Sequence, residues 1–503
     1  MKRLVLSLCL LAVVTLASVH GIGMVKPTAL TTADARDIGY LNVLANLGVI
    51  AAAPHPTASP RQAFVRQYLL GTITKMGYQV VEQPFQFTIE SMVNRQEMLY
   101  AELNDHQRQA FDAELARVGA DSFEQEVRIR SGLLEGDSGQ GTNLIASRRV
   151  PGATATVLFM AHYDSVGTAP GASDDGMAVA SILQLMRDSI SRSDAKNNVV
   201  FLLTDSEELG LLGAAHYVSQ LRAPEREDIR LVVNFEARGN QGIPLLFETS
   251  QKDYTLMRTL NAGVQDIISF SFTPLIYKML QNDTDFTVFR NQNFAGLNFA
   301  VVEGFHHYHH MSDTAENIAP ETLFRYQKTV REVGNHFIHG IDLSTLSADE
   351  DATYFPLQGG TLLVLNLPTM YALGMGSFVL CGLWAQRCRT RRQCQGKNSV
   401  LRPMAITLFG IACAALVIFV PSLAYLFVIP SLLLACAMLS RSLFISYSIM
   451  MLGAYACGIL YAPIVYLISS GLKMPVIAGF IALFPLGLLV VGMAHVISRP
   501  KDY

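Results

Sequence analysis

The hydrophobic pattern divides the chain in two. Up to about residue 345, apolar runs are short and end in polar clusters; from about Thr361 onward, long apolar stretches are broken only by brief polar punctuation. In the first part, residues 157–160 and 199–203 are β-branched and apolar runs of strand length, and residues 179–188 between them have helical spacing. That order predicts a parallel sheet, and residues 231–235 and 297–302 predict further strands. Polar clusters follow these runs, at the carboxyl ends where open α/β sheets place their sites. Residues 95–128, rich in Glu, Gln and Ala, predict an inserted helical excursion.

The second part predicts a membrane domain. Candidate spans cover roughly residues 367–386, 404–420, 423–440, 443–467 and 475–497, each long enough for about 30 Å of hydrocarbon. Pro421 and Ser422 split the 404–440 stretch into a hairpin. At the other end, Lys2 and Arg3 precede an apolar core through residue 19, which predicts a signal peptide or a signal anchor within residues 1–25. The expected organisation is therefore a domain over 30–345, a linker over 346–366 and a transmembrane domain of about five helices over 367–503.

Charge then orients the chain. Arg387, Arg389, Arg391, Arg392, Lys397 and Arg402 share one loop, Arg441 lies in another, and Arg499 and Lys501 end the chain. With five spans and an N-terminal anchor, all of these fall on the side of Lys2 and Arg3, leaving only Lys473 opposite. The positive-inside rule then predicts a multi-pass protein whose large domain is extracytoplasmic, periplasmic or luminal. A formal net charge of -3, with no basic stripe, argues against a nucleic-acid partner and leaves the lipid bilayer as the expected one. None of the seven cysteines lies between residues 10 and 380, so a metal bound there must use nitrogen and oxygen ligands.

Such ligands are present in four clusters. The run AHYDSVGTAPGASDDG at 161–176 offers His162, Asp164 and the pair Asp174 and Asp175, with Gly171 and Gly176 permitting a tight loop. SEELG at 206–210 supplies Glu207 and Glu208; one can ligate a metal while its neighbour takes a proton from bound water. Glu236 ends the run 231–235, and His306, His307, His309 and His310 crowd the segment after 297–302. Singly these read as a surface turn, a helix N-terminus, a salt bridge of Glu236 with Arg238 and an adventitious histidine tract. Together, each after a predicted strand, they favour a hydrolytic zinc site, with Asp164 orienting His162.

The residues resemble the M28 family of zinc aminopeptidases, and within it the membrane-anchored endoplasmic-reticulum metallopeptidases and vacuolar membrane proteases. The likeness covers roughly residues 60–345 and, more loosely, the multi-span tail. It rests on His162-x-Asp164 with Asp174 twelve residues after the histidine, the pair Glu207 and Glu208, Glu236 at a strand end, and Tyr308-His309 with Asp313-Thr314 and Asn317. Asp285 and Phe289 match a further element. Glu236 stands where Asp is commoner in the family.

The resemblance implies a zinc-aminopeptidase-like α/β fold, a mixed, mostly parallel sheet flanked by helices and followed by the α-helical membrane domain. It implies two Zn²⁺ per chain, with Asp174 bridging, His162 and Glu236 on one zinc, Glu208 and His309 on the other, and Glu207 as base. The implied substrate is the N-terminus of a peptide or protein. The competing expectations are a glutaminyl cyclase-like zinc acyltransferase, a non-catalytic receptor or scaffold, and a transporter. Every matched position is filled, which disfavours the scaffold, and the spans carry almost no ionisable residue, which disfavours the transporter.

Overall fold

In a computed structural model, residues 2–471 are described apart from 103–104, 134, 278–282, 348–349, 358–359, 391–409, 414 and 440–442. Eight strands form one sheet: β1 (Gln79–Thr88), β2 (Ser138–Arg148), β3 (Thr156–His162), β4 (Asn198–Thr204), β5 (Ile229–Ala237), β6 (Leu245–Thr249), β7 (Ile268–Ser269) and β8 (Gly296–Val301). Their order is β1-β2-β4-β3-β5-β8-β6-β7. The centre, β4-β3-β5-β8, is parallel, whereas β1, β2 and the β6–β8 pairing are antiparallel. The strands at 157–160, 199–203, 231–235 and 297–302 are thus the four central ones. All seven residues of β3 are buried, and the unbroken apolar run VLFMA within it suits a strand covered on both faces.

Helices cover the sheet because their apolar stripes match it. Met177–Ile190 buries nearly its whole length, and Pro320–Asn335 packs on it through Leu323, Tyr326, Val330 and Val333. The predicted excursion at 95–128 is a longer set of three helices, Ile89–Glu102, Asp105–Val118 and Phe123–Ser131, inserted between β1 and β2.

Residues 346–366, expected as a linker, hold an antiparallel pair, β9 (Ala352–Pro356) and β10 (Leu362–Asn366). Apolar alternation makes this stretch a packing element: Phe355 stacks on Tyr425 at 4.6 Å. Among the described residues three helices are long and apolar enough to cross a membrane, Leu367–Arg387, Pro421–Leu439 and Ser448–Ser469, with a shorter apolar helix at Gly410–Phe419. The expected span at 475–497 and most of the basic loops used to orient the chain lie outside the described residues.

The N-terminal apolar segment extends as a helix over Lys2–Met24 and packs along Leu443–Tyr466. A Cβ at Gly458 would come within 2.5 Å of the Ala17 Cβ, the close approach that small residues allow between membrane helices. A single apolar cluster joins β6, β7 and β8 to these helices, so the sheet edge and the membrane helices share one core.

Candidate active site

Four chain segments converge just past the carboxyl ends of β3, β4, β5 and β8. The loop after β3 folds back because Gly171 adopts φ +68, cheap only for glycine, and because a Cβ at Gly176 would lie 2.7 Å from the Gly171 carbonyl oxygen. This return is pinned by Asp313, which accepts from Ser173 N at 2.9 Å and Asp174 N at 3.2 Å. Asp174 is thereby aimed at the site. Its Oδ1 lies 3.1 Å from His162 Nε2 and its Oδ2 3.3 Å from His309 Nε2.

The other ligand candidates fall on either side of Asp174. Glu236 Oε2 is 3.7 Å from His162 Nε2, and Glu208 Oε2 is 3.1 Å from His309 Nε2. His162 is held by its second nitrogen, 3.0 Å from the Asp164 carbonyl oxygen, which leaves Nε2 facing the carboxylates. The Asp164 carboxylate lies 3.6 Å from the same nitrogen and also accepts from Glu207 N at 3.1 Å and Glu208 N at 3.3 Å, fixing the glutamate turn. Ser206 at φ 63 and His309 at φ 54 are non-glycine residues in left-handed backbone flanking and forming the site.

The four crowded histidines separate in space. His309 is buried under the stacked ring of Tyr308 at 3.7 Å, whereas His306 and His310 are exposed and His307 and His310 both engage the Ser312 hydroxyl. Arg238 lies over the Tyr308 ring at 5.3 Å rather than against Glu236.

The donor set fits a cation. His162, Asp174 and Glu208 bring one ligand atom each within 4.8 Å of one another, as do His162, Asp175 and Glu236. The second grouping would recruit Asp175 in place of Asp174. The two oxygens of Asp174 face different histidines, and both Asp175 oxygens are buried without a hydrogen-bond partner. Glu208 Oε1 and Glu236 Oε1 are likewise buried without a hydrogen-bond partner, a costly state that a bound cation relieves. Burial works against a charged His162, yet Glu236, Asp164 and Asp174 raise its pKa well above the ordinary value. The carboxylates therefore demand positive charge at this point. Glu207 is raised too, by burial first and then by Glu236 and Glu208 against the opposing His162.

Several supporting residues were not anticipated from the sequence. Asp205 accepts from Gln62 Nε2 at 2.6 Å, Thr142 N at 2.7 Å, Thr57 Oγ1 at 3.0 Å and Tyr163 Oη at 3.2 Å, tying β2, β3 and β4 beneath the glutamate pair. Its place beside Glu207 was the only signal available. Arg130, from the inserted helices, reaches to 3.7 Å from Glu208 Oε2. Asp285, which the resemblance had singled out, accepts from the Thr204 hydroxyl at the end of β4.

These buried carboxyls give the metal-free protein a definite pH response. Burial pushes Asp205 and Asp285 up to about 7 and Asp313 to about 6 from an ordinary 3.8. Between those limits the folded chain keeps protons that the unfolded chain has released, so stability falls as pH rises. His162, raised above its ordinary value, acts in the same direction, while the lowered Asp174 makes its contribution above 3.8 and adds no slope here. Zinc binding runs the other way, because ligands must be deprotonated. With chelator, melting should occur at higher temperature at about pH 5 than at about pH 7.5, and added zinc should raise it most at about pH 7.5. Melting scans with and without zinc test this; a chelated protein more stable at the higher pH contradicts it.

The sheet thus gathers a buried histidine and carboxylate cluster that fits a metal ion at the carboxyl edge of an α/β domain. Residues 143–334 match the model for peptidase family M28, and the chain carries a peptidase M28 domain. It is 26% identical over 350 residues to a vacuolar membrane protease of Eremothecium gossypii, covering 67% of this chain and 31% of that protein. It is 29% identical over 224 residues to endoplasmic reticulum metallopeptidase 1 of Mus musculus, covering 43% of this chain and 24% of that protein. The chain therefore spans less than a third of the length of these relatives. Among solved structures, an aminopeptidase from Aneurinibacillus sp. strain AM-1 superposes with a TM-score of 0.46 at 15% identity, covering 62% of this chain and 97% of that one.

Proposed function

We propose that this protein is a membrane-anchored di-zinc metallopeptidase that removes residues from the free N-termini of peptides on the extracytoplasmic side of its membrane. The observation that carries the reading is the double engagement of Asp174, with His162 on one oxygen and His309 on the other. His162, Asp174 and Glu236 would hold one zinc, and Asp174, Glu208 and His309 the second. Zinc, when bound, supplies Lewis-acid polarisation of the scissile carbonyl and lowers the pKa of the attacking water.

The chain's own groups do the rest. Glu207 lines the same cavity as Asp174 and Glu236, with its backbone held by Asp164. It takes the proton of the attacking water and delivers it to the amine that leaves as the C–N bond breaks. Its raised affinity for protons suits a group that must carry one at neutral pH, and nearby cations would bring it back toward ionisation. The extracytoplasmic orientation is supported by the distribution of arginine and lysine among the loops.

Solubilised full-length protein should hydrolyse peptides with a free N-terminus and lose activity to a chelator. Equivalent peptides with acetylated N-termini should be spared. Cleavage of the blocked peptides would overturn the aminopeptidase reading, and activity that survives complete chelation would overturn the metallopeptidase one. A single tightly bound zinc in the active protein would instead fit cyclase-like chemistry.

A further inference from the structure

The cavity that opens beside Asp174, Glu207 and Glu236 has an apolar wall that no site motif accounts for. One part comes from the sheet edge, with Leu245 and Phe247 on β6 and Ala300 on β8. Another part comes from the end of the last described membrane helix and the turn that follows it, where Ile464, Leu467 and Ile468 face the same space. Both parts belong to one continuous apolar cluster, so the wall is packed in place rather than merely adjacent. Polar contacts fix its position: Tyr466 Oη donates to Glu303 Oε2 at 2.9 Å just beyond β8, and Lys26 Nζ lies 4.9 Å over the Tyr466 ring.

We infer that the end of this apolar helix, through Ile464, Leu467 and Ile468, forms part of the pocket that receives the substrate side chain at the scissile carbonyl. This rests on the peptidase reading above. The carboxylates occupy the cavity where the carbonyl must sit, so the residue that supplies that carbonyl directs its side chain into the remaining space. That space is lined mainly by aliphatic and aromatic groups, which stabilise a side chain of the same kind more than a polar one. Membrane attachment then does more than locate the enzyme, because Ile464, Leu467 and Ile468 would be missing from a peptidase domain cut free of its helices.

The test compares Phe-Ala-amide with Ala-Ala-amide on the full-length chain in detergent, read as the ratio of kcat/KM. Wild type should favour the Phe substrate at least about 10-fold, the discrimination that one or more buried methylenes give in an apolar pocket. In Leu467→Ala/Ile468→Ala that ratio should fall about 10-fold or more as the wall recedes, and in Ile468→Trp it should invert as the space fills. Hydrolysis of neither substrate by zinc-loaded wild type would sink the peptidase reading itself. Hydrolysis of both with no preference for Phe, or a ratio that both variants leave at its wild-type value, would overturn the pocket while sparing the peptidase. The wild-type ratio stands on its own should a variant fail to fold.

Discussion

Glu207→Gln is expected to lower kcat by about 10²–10⁴-fold, the usual contribution of a positioned proton-transfer group, while zinc content and melting temperature stay near wild type. Glutamine keeps the size of the side chain and leaves the backbone bond from residue 207 to Asp164 intact, so the turn carrying Glu208 should not move. Only the capacity to take and return a proton is lost. Because Glu207 is not among the residues expected to hold zinc, KM for a small peptide should change little. Single-turnover assays with zinc quantified by mass spectrometry check this. Near-full activity would mean another group moves the proton, with Glu208 excluded only if its own variant loses metal.

Asp174→Asn is expected to have the larger effect on metal. The asparagine preserves the backbone bonds from residues 173 and 174 to Asp313, so the loop should keep its path. It removes one negative charge from a group facing both His162 and His309, and both proposed metal positions depend on that charge. Zinc content should drop toward zero and activity with it. Glu236→Gln and His309→Asn should each weaken one position and leave the other measurable. The distinguishing observation is stoichiometry: if Asp174→Asn retained the same zinc as Glu236→Gln, the shared role would fall and Asp175 would become the better candidate beside His162 and Glu236.

Much of the catalytic half was legible because parallel strands write themselves plainly. Residues buried on both faces are mostly apolar, so β3, β4, β5 and β8 appear as short apolar-rich runs, and polar residues at their carboxyl ends stand out. The runs of β5 and β8 are interrupted by Asn234 and Asn298, which bond to each other. The antiparallel edge was not legible in the same way. The strand over Gln79–Thr88 alternates with many exposed positions, and β7 is only two residues long. Asp205 was passed over because a single carboxylate in a connecting turn carries no period or spacing; its importance comes from partners 42 to 148 residues away.

Sequence by itself determined the chemistry available, the strand-helix-strand succession of the central motif and the boundary between a domain rich in nitrogen and oxygen ligands and a tail of apolar helices. Those follow from side-chain type and from local periodicity, which depend on near neighbours in the chain. Tertiary structure decided why Asp164 serves the glutamate turn as well as His162, how far His306, His307 and His310 stand from His309's partners, and that Arg130 of the inserted helices reaches Glu208. It also decided that the end of a membrane helix stands beside the cavity holding Glu207. Each of these is a meeting of segments far apart in sequence, fixed by packing of surfaces that no local pattern encodes.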